Sequence, residues 1–161
     1  TGCVTWMGDQ AQADCVSARF ADGDRLHFGI HELVVMYTPG HTDDSYSFYL
    51  EADGKHFVFT GDTLLIRGTG RTDFQNGNPR EQYHSLFHRL LQLPGETQVY
   101  PAHDYKGWTV STIAEERLHN PRLQVASEAE YVQLMNALKL PNPKLMDIAV
   151  PANRACGIDQ V

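Results

Sequence analysis

A chain of 161 residues has the length of one domain or of part of a larger one. With 42% apolar and 20% charged residues its composition is that of a globular protein, which argues against disorder and against collagen-like repeats. Lys and Arg number 13 against 20 Asp and Glu, a net charge of −7 with no basic stripe, so nucleic acid is not an expected partner; no apolar run approaches the roughly 18 residues that cross a bilayer, so neither is a membrane.

In chain order, the first third reads as β. Asp22-Gly23-Asp24 is a turn signal before a run at 25–28, and the apolar run 33–37 (LVVMY) suits a buried strand that stops at Thr38-Pro39-Gly40. Runs at 46–50 and 56–60 are aromatic or β-branched, and Asp53-Gly54 between them suits a tight turn with positive φ. The second half reads as helices with one strand among them. Asn78-Pro79-Arg80-Glu81 opens a helix with a cap, a proline at the first helical position and a capping-box acid. Tyr83, Leu86, Phe87, Leu90 and Leu91 then follow at helical spacing until Pro94-Gly95. A short strand is expected at 98–100, a helix at about 109–118, and a third helix after the capping box Ser127-Glu128-Ala129-Glu130. From residue 141 the proline-rich tail is expected to be extended. Strands first and helices later predict an α+β fold, with helices packed on a largely antiparallel sheet.

Cys3, Cys15 and Cys156 are odd in number and form no CxxC, which argues against a disulfide framework or a structural zinc and fits a reducing compartment. Histidine is the unusual count, at 8. In an antiparallel hairpin the entry to the first strand lies beside the exit of the second, so His41, before the first strand, and Asp62, after the second, are expected to meet at one sheet edge. Three segments, Pro39-Gly40-His41-Thr42, Thr60-Gly61-Asp62-Thr63 and Pro101-Ala102-His103-Asp104, each place a His or Asp just beyond a strand. Imidazole and carboxylate are common ligands of zinc and of non-haem Fe(II), and two His with one carboxylate would leave coordination positions open for substrate and oxygen. A single loop His has the competing reading of a hydrogen-bonded surface residue. Arg71, in the Gly-rich loop after Asp62, is the anion-binding candidate because its planar fork suits a carboxylate; an internal ion pair with Asp73 or Asp104 is the alternative, and Arg67 is a weaker candidate of the same kind. Tyr105 could hydrogen-bond a substrate or bury its hydroxyl against backbone. His84 and His88, spaced i, i+4, could bind zinc but lie off the apolar stripe, as on a solvated face.

The stretches TPGHT, FTGDTLLIRGTGRTDFQ, YPAHDYKGWTVSTIAEERLHNPRL and VPANRACG make the run 37–157 closely resemble the persulfide dioxygenases of the metallo-β-lactamase superfamily. The resemblance implies an αββα sandwich with a metal site at one edge. It implies one Fe(II) per site, held by two His and one Asp, with glutathione persulfide and O2 as substrates and sulfite and glutathione as products of sulfide detoxification. On it, His41 matches the second His ligand and Asp62 the carboxylate. His103 matches the His that holds a second metal in dinuclear hydrolases of the superfamily and is expected to support the iron ligands here. Asp104 and Tyr105 are implied to be pocket residues, Asp104 supporting the iron ligands together with His103 and Tyr105 binding substrate. The superfamily's HxHxDH motif is absent, since none of the eight His forms HxH. The expectation is therefore that residues 1–161 are a partial domain, the C-terminal two thirds of the enzyme, with the third iron ligand on an N-terminal segment outside this sequence. A glyoxalase-II-like dinuclear thioester hydrolase and an inactive fragment are the alternatives. A homodimer and a bacterial cytoplasmic setting are further expectations.

Overall fold

A computed structural model describes residues 2–13, 15–74, 76–141 and 145–155. Near the start, β1 (Trp6–Gly8) and β2 (Ala18–Phe20) pair in parallel as a small ribbon. The main sheet begins with β3 (Arg25–Phe28) and β4 (His31–Tyr37), followed by the hairpin β5 (Tyr46–Ala52) and β6 (Lys55–Gly61). Asp53 and Gly54 both take positive φ, 52° and 69°, the geometry that lets a two-residue turn follow the twist of its strands. A second, minimal hairpin, β7 (Leu64–Leu65) and β8 (Gly68–Thr69), follows immediately.

Helix α1 (Pro79–Phe87) starts where the capping signal places it, because the Asn78 side chain accepts from the Arg80 and Glu81 N–H groups. It ends before Leu90 and Leu91, contrary to expectation. Those two leucines lie on a separate 3-10 turn, Leu90–Gln92, after which Leu93 is extended at ψ 156°, the conformation that the following Pro94 imposes. Strand β9 (Gln98–Pro101) precedes β10 (Ser111–Thr112) and α2 (Ile113–His119). Helix α2 thus begins four residues later than the periodicity suggests: Ser111 and Thr112 are taken up by pairing with β9, and the Thr112 hydroxyl caps the Glu115 N–H. Helix α3 (Glu128–Asn136) has its capping box in place, Ser127 accepting from the Glu130 N–H while Glu130 accepts from the Ala126 N–H. Within the tail expected to be extended, residues 146–154 are helical. Helix α4 (Met146–Arg154) carries Pro151 internally; the proline forfeits one backbone hydrogen bond, and the bond from the Ala155 N–H to the Pro151 carbonyl closes the last turn.

The six main strands run in the order β10-β9-β6-β5-β4-β3, antiparallel except for the parallel pair β6 and β9. On one face Val58 and Val99 pack against Leu86, Leu90, Ile113 and Tyr131, all fully buried. Each such aliphatic side chain contributes about 1.5–3 kcal/mol on burial. The other face carries the register row Val35, Phe48, Phe59 and Tyr100, with Phe20 of the ribbon seated edge-on to Phe48 at 5.4 Å. Cys15 is disulfide-bonded, which departs from the expectation of reduced thiols; Cys156 lies outside the described residues.

Candidate metal centre

Three loops at one end of the sheet are drawn together by backbone. Gly40, at φ +133°, lies so close to α1 that a Cβ there would meet Gln82 backbone at 2.4 Å, and its carbonyl accepts from the Asn78 N–H at 2.9 Å. Ser85 donates to the Pro39 carbonyl at 2.7 Å. The loop carrying His41 is therefore laid on the start of α1. Gly61 turns the chain out of β6 at φ +52°, and its carbonyl accepts from Ala102 N–H at 2.9 Å, which brings the loop after β9 alongside. Thr63 donates its hydroxyl to the Thr38 carbonyl at 3.0 Å, tying the loop of Asp62 to that of His41.

The hairpin argument holds. His41 Nε2 lies 3.5 Å from Asp62 Oδ2, with both side chains four-fifths or more buried. His41 Nδ1 lies 2.7 Å from the Arg71 carbonyl. A carbonyl only accepts, so Nδ1 carries the proton and Nε2 keeps its lone pair toward Asp62. Close approach of the next loop makes this possible: a Cβ on Gly70 would stand 2.2 Å from the Asp62 carbonyl and 2.7 Å from His41 Nδ1. On the other side of the carboxylate, His103 Nδ1 sits 2.8 and 2.9 Å from the two Asp62 oxygens. His41 Nε2 and the Asp62 carboxylate are thus a nitrogen and an oxygen donor facing the same space, which fits two positions of a mixed His/carboxylate iron or zinc site. Among the described residues no three His, Cys, Asp or Glu side chains converge as a complete metal cage.

A cavity of about 780 Å³ opens from these side chains. Tyr105 lines it, 81% exposed and stacked on His103 at 6.3 Å, so its hydroxyl is not tied up in a core. For Arg71 the internal ion pair is the arrangement present. Its Nε and Nη2 donate to the two Asp73 oxygens at 2.5 and 2.6 Å, and its Nη1 donates to the Pro141 carbonyl. The guanidinium in turn holds the Asp73 carboxyl below the usual carboxylate range. Arg67 pairs with Glu115 and Glu116. The Asp104 carboxylate makes no hydrogen bond to His103 or Asp62. Its Oδ2 instead accepts from the backbone N–H groups of Lys106, Gly107 and Trp108. Partial desolvation raises its carboxyl, and those N–H groups more than offset the effect, so its pKa is lowered. Asp104 shapes the loop that presents Tyr105. His84 contacts Glu128 at 3.3 Å and is 63% exposed, as on the solvated face expected of it.

Sequence reading missed Phe74, whose ring lies edge-on to His41 at 5.9 Å with the Arg71 guanidinium 4.6 Å above it. It also missed Lys106 and Arg122, which line the cavity. All three fall within the stretches singled out above, but nothing local distinguishes a cavity-lining side chain from its neighbours.

Residues 16–118 match the model of the metallo-beta-lactamase superfamily. The human protein "Persulfide dioxygenase ETHE1, mitochondrial" is 49% identical over 148 residues, covering 92% of this chain and 56% of that protein. A hydroxyacylglutathione hydrolase from Maricaulis maris is 41% identical over 97 residues, 60% of this chain and 36% of that one. Among solved structures, ETHE1 from Myxococcus xanthus superposes with TM-score 0.88 at 52% identity, over 95% of this chain and 66% of that chain. A metallo-beta-lactamase from Staphylococcus aureus superposes with TM-score 0.87 at 20% identity, over 99% of this chain and 52% of that one, a likeness of fold. The chain thus spans little more than half the length of the human relative. With a matching family model over most of its strands, and with the three loops of that model meeting at one sheet edge, the chain belongs to the metallo-β-lactamase superfamily.

Proposed function

We propose that this chain carries part of the active site of an iron-dependent persulfide dioxygenase, which oxygenates glutathione persulfide to sulfite and glutathione. The observation that carries the reading is the meeting of His41 and Asp62 in the cavity lining, in a chain 49% identical over 92% of its length to a human protein named persulfide dioxygenase. His41 would offer Nε2 to the metal, its orientation fixed by the hydrogen bond from Nδ1 to the Arg71 carbonyl. Asp62 would offer its carboxylate, steadied by His103. An Fe(II) ion bound there would supply the redox chemistry of O2 and sulfur, which side chains alone cannot provide. Tyr105 stands over His103 with a free hydroxyl, placed to orient the substrate. The apolar wall of Leu65, Ile66 and Phe74 would limit water around the reacting sulfur.

The test is oxygen consumption by the polypeptide that joins this chain to the segment bearing the third ligand, reconstituted anaerobically with Fe(II), on addition of glutathione persulfide, with sulfite measured as product. His41→Ala and Asp62→Ala should each abolish uptake and lower iron content. Absence of oxygen uptake by the iron-loaded protein with its third metal ligand supplied would end the reading. A second reading, thioester hydrolysis with two metals, is favoured by the position of His103 against Asp62, which would let it hold a second ion. Oxygen-independent hydrolysis of S-lactoylglutathione would select it.

A further inference from the structure

Four basic side chains line the cavity: Arg67, Arg71, Lys106 and Arg122. Three have their donors engaged within the protein. Arg67 is paired with Glu115 and Glu116, and Arg71 with Asp73. Arg122 is anchored by Nη1 on the Thr69 carbonyl and hydroxyl. Lys106 is different. Its ammonium makes no hydrogen bond or ion pair among the described residues, and its one recorded contact is the face of Trp108, 5.1 Å from the ring centroid. The Trp108 ring is shared with the Arg67 guanidinium at 5.6 Å, so the indole carries two cations against one wall.

The loop that holds Lys106 is fixed in advance. The Asp104 carboxylate accepts from the N–H groups of residues 106, 107 and 108, which locks three successive peptide units. The same loop carries Tyr105 over His103, so Lys106 stands one residue beyond the group placed to orient the reacting end of a substrate. An ammonium held on a preorganised loop with no internal counter-charge has its donors available for a ligand anion.

We propose that Lys106 is a specificity-determining residue, the seat for a carboxylate at the end of the substrate remote from the reacting sulfur, so that the cavity selects carboxylate-bearing thiol persulfides over neutral ones. The proposal rests on the persulfide reading for the identity of the substrate, though not for the presence of the seat. It makes no use of Arg71, whose fork is occupied.

The test separates the two. Binding of S-methylglutathione and of its dimethyl ester to the protein is measured by calorimetry, which requires no turnover. The unmodified protein should bind the acid about threefold to fivefold more tightly than the ester, the range of a solvent-accessible ion pair. Lys106→Gln should bring that ratio close to one, and Lys106→Arg should restore most of it. In turnover, Lys106→Gln should raise KM for glutathione persulfide by a similar factor with kcat unchanged, as for a contact equally strong in ground and transition states. An acid-to-ester ratio that survives Lys106→Gln, or no preference for the acid in the unmodified protein, overturns the seat. A ratio that depends on Lys106, in an iron-loaded protein that consumes no oxygen with persulfide, keeps the seat and overturns the dioxygenase reading.

Discussion

Gly70→Ala tests whether the proposed metal centre depends on backbone contact. Gly70 holds its place because it has no side chain, not because of an unusual φ. An added Cβ would lie 2.2 Å from the Asp62 carbonyl oxygen and 2.7 and 2.8 Å from His41 Nδ1 and Cγ, whereas ordinary contacts begin near 3.4 Å. More than 1 Å of displacement must be shared between the two loops, and neither His41 nor Asp62 can yield alone. The hydrogen bond from Gly70 N–H to the Asp62 carbonyl, 2.7 Å long, is lost or stretched at about 1 kcal/mol. Overpacking adds about 1–3 kcal/mol. The expected loss of stability is therefore about 2–4 kcal/mol, read as a lower midpoint in urea at unchanged m-value. Because the shifted atoms orient both proposed metal donors, Fe(II) or Co(II) affinity should fall about 10–100-fold. Gly68→Ala is the control. It lies two residues away in the same hairpin, where a Cβ would find nothing closer than Leu65 Cβ at 3.9 Å, and it should leave metal affinity unchanged. If Gly70→Ala binds metal within twofold of the unmodified protein and unfolds at the same midpoint, the site is not held by this contact.

Glu116 is fully buried and accepts from the Arg67 side chain and backbone N–H, from Ser111 and from Asn120. Glu116→Ala should cost about 1–3 kcal/mol because it removes the acceptor of the Arg67 backbone N–H and leaves the Arg67 guanidinium ion-paired with Glu115 alone, and a loss below about 0.5 kcal/mol in chemical denaturation would show the network to be dispensable. Asp73→Asn releases the Arg71 fork. Steady-state kinetics should then show KM for an anionic persulfide falling about twofold to fivefold at constant kcat, and an unchanged KM would mean that Arg71 does not reach the substrate. Asp22 accepts from the Tyr37 N–H and from Arg89. Desolvation raises its carboxyl, but these two partners outweigh it and its folded pKa is lowered. Its contribution is thus present above the unfolded carboxylate pKa of about 3.9 and is lost as pH falls through the lower folded value. With the side chain about half exposed, Asp22→Asn should remove under about 1 kcal/mol at neutral pH and flatten the acid limb of the stability curve; equal destabilisation at pH 7 and pH 2 would contradict this.

What the sequence makes legible here is what local physics decides. Asp53-Gly54 fixes the β5–β6 turn, the turn fixes the register, and the register brings His41 beside Asp62 without any knowledge of the rest of the sheet. Asn78-Pro79 likewise fixes the first residue of α1. The misses are places where a distant partner overrides a local pattern. Leu90 and Leu91 keep helical spacing with Tyr83 and Phe87, yet Pro94 and the core contacts draw them into a 3-10 turn. Ser111 and Thr112 join the sheet by pairing with β9, a distant edge that a helical reading of 109–118 does not anticipate. The parallel ribbon β1–β2 has no hairpin turn to announce it. In α4, Pro151 reads as a breaker but is accommodated. Arg71 could pair with Asp73 or Asp104 as far as sequence goes. The choice follows from Asp104 being taken by its own loop, which only the folded backbone reveals. Lys106 becomes informative by the same elimination, once its three basic neighbours in the cavity have found their partners.

The loops that carry His41 and Gly70 are coupled to the helices through one buried amide. Gln82 is fully buried on α1. Its Nε2 donates to the Gly70 carbonyl at 3.1 Å, and its Oε1 accepts from the Tyr131 hydroxyl of α3 at 2.8 Å. Its backbone is the surface on which Gly40 rests. One residue therefore contacts the loop that carries His41 and the loop whose backbone packs against both His41 and Asp62, and it is held in turn by the helix layer. A buried amide with both ends satisfied has little freedom to rotate, because either rotation strands a donor or an acceptor at about 1–3 kcal/mol. The spacing of His41 and Asp62 is thereby set by the packing of α1 on α3 as well as by the sheet. The helix face of the fold serves the site directly, since displacement of α1 would move the Gly40 and Gly70 loops together and carry the proposed metal donors with them.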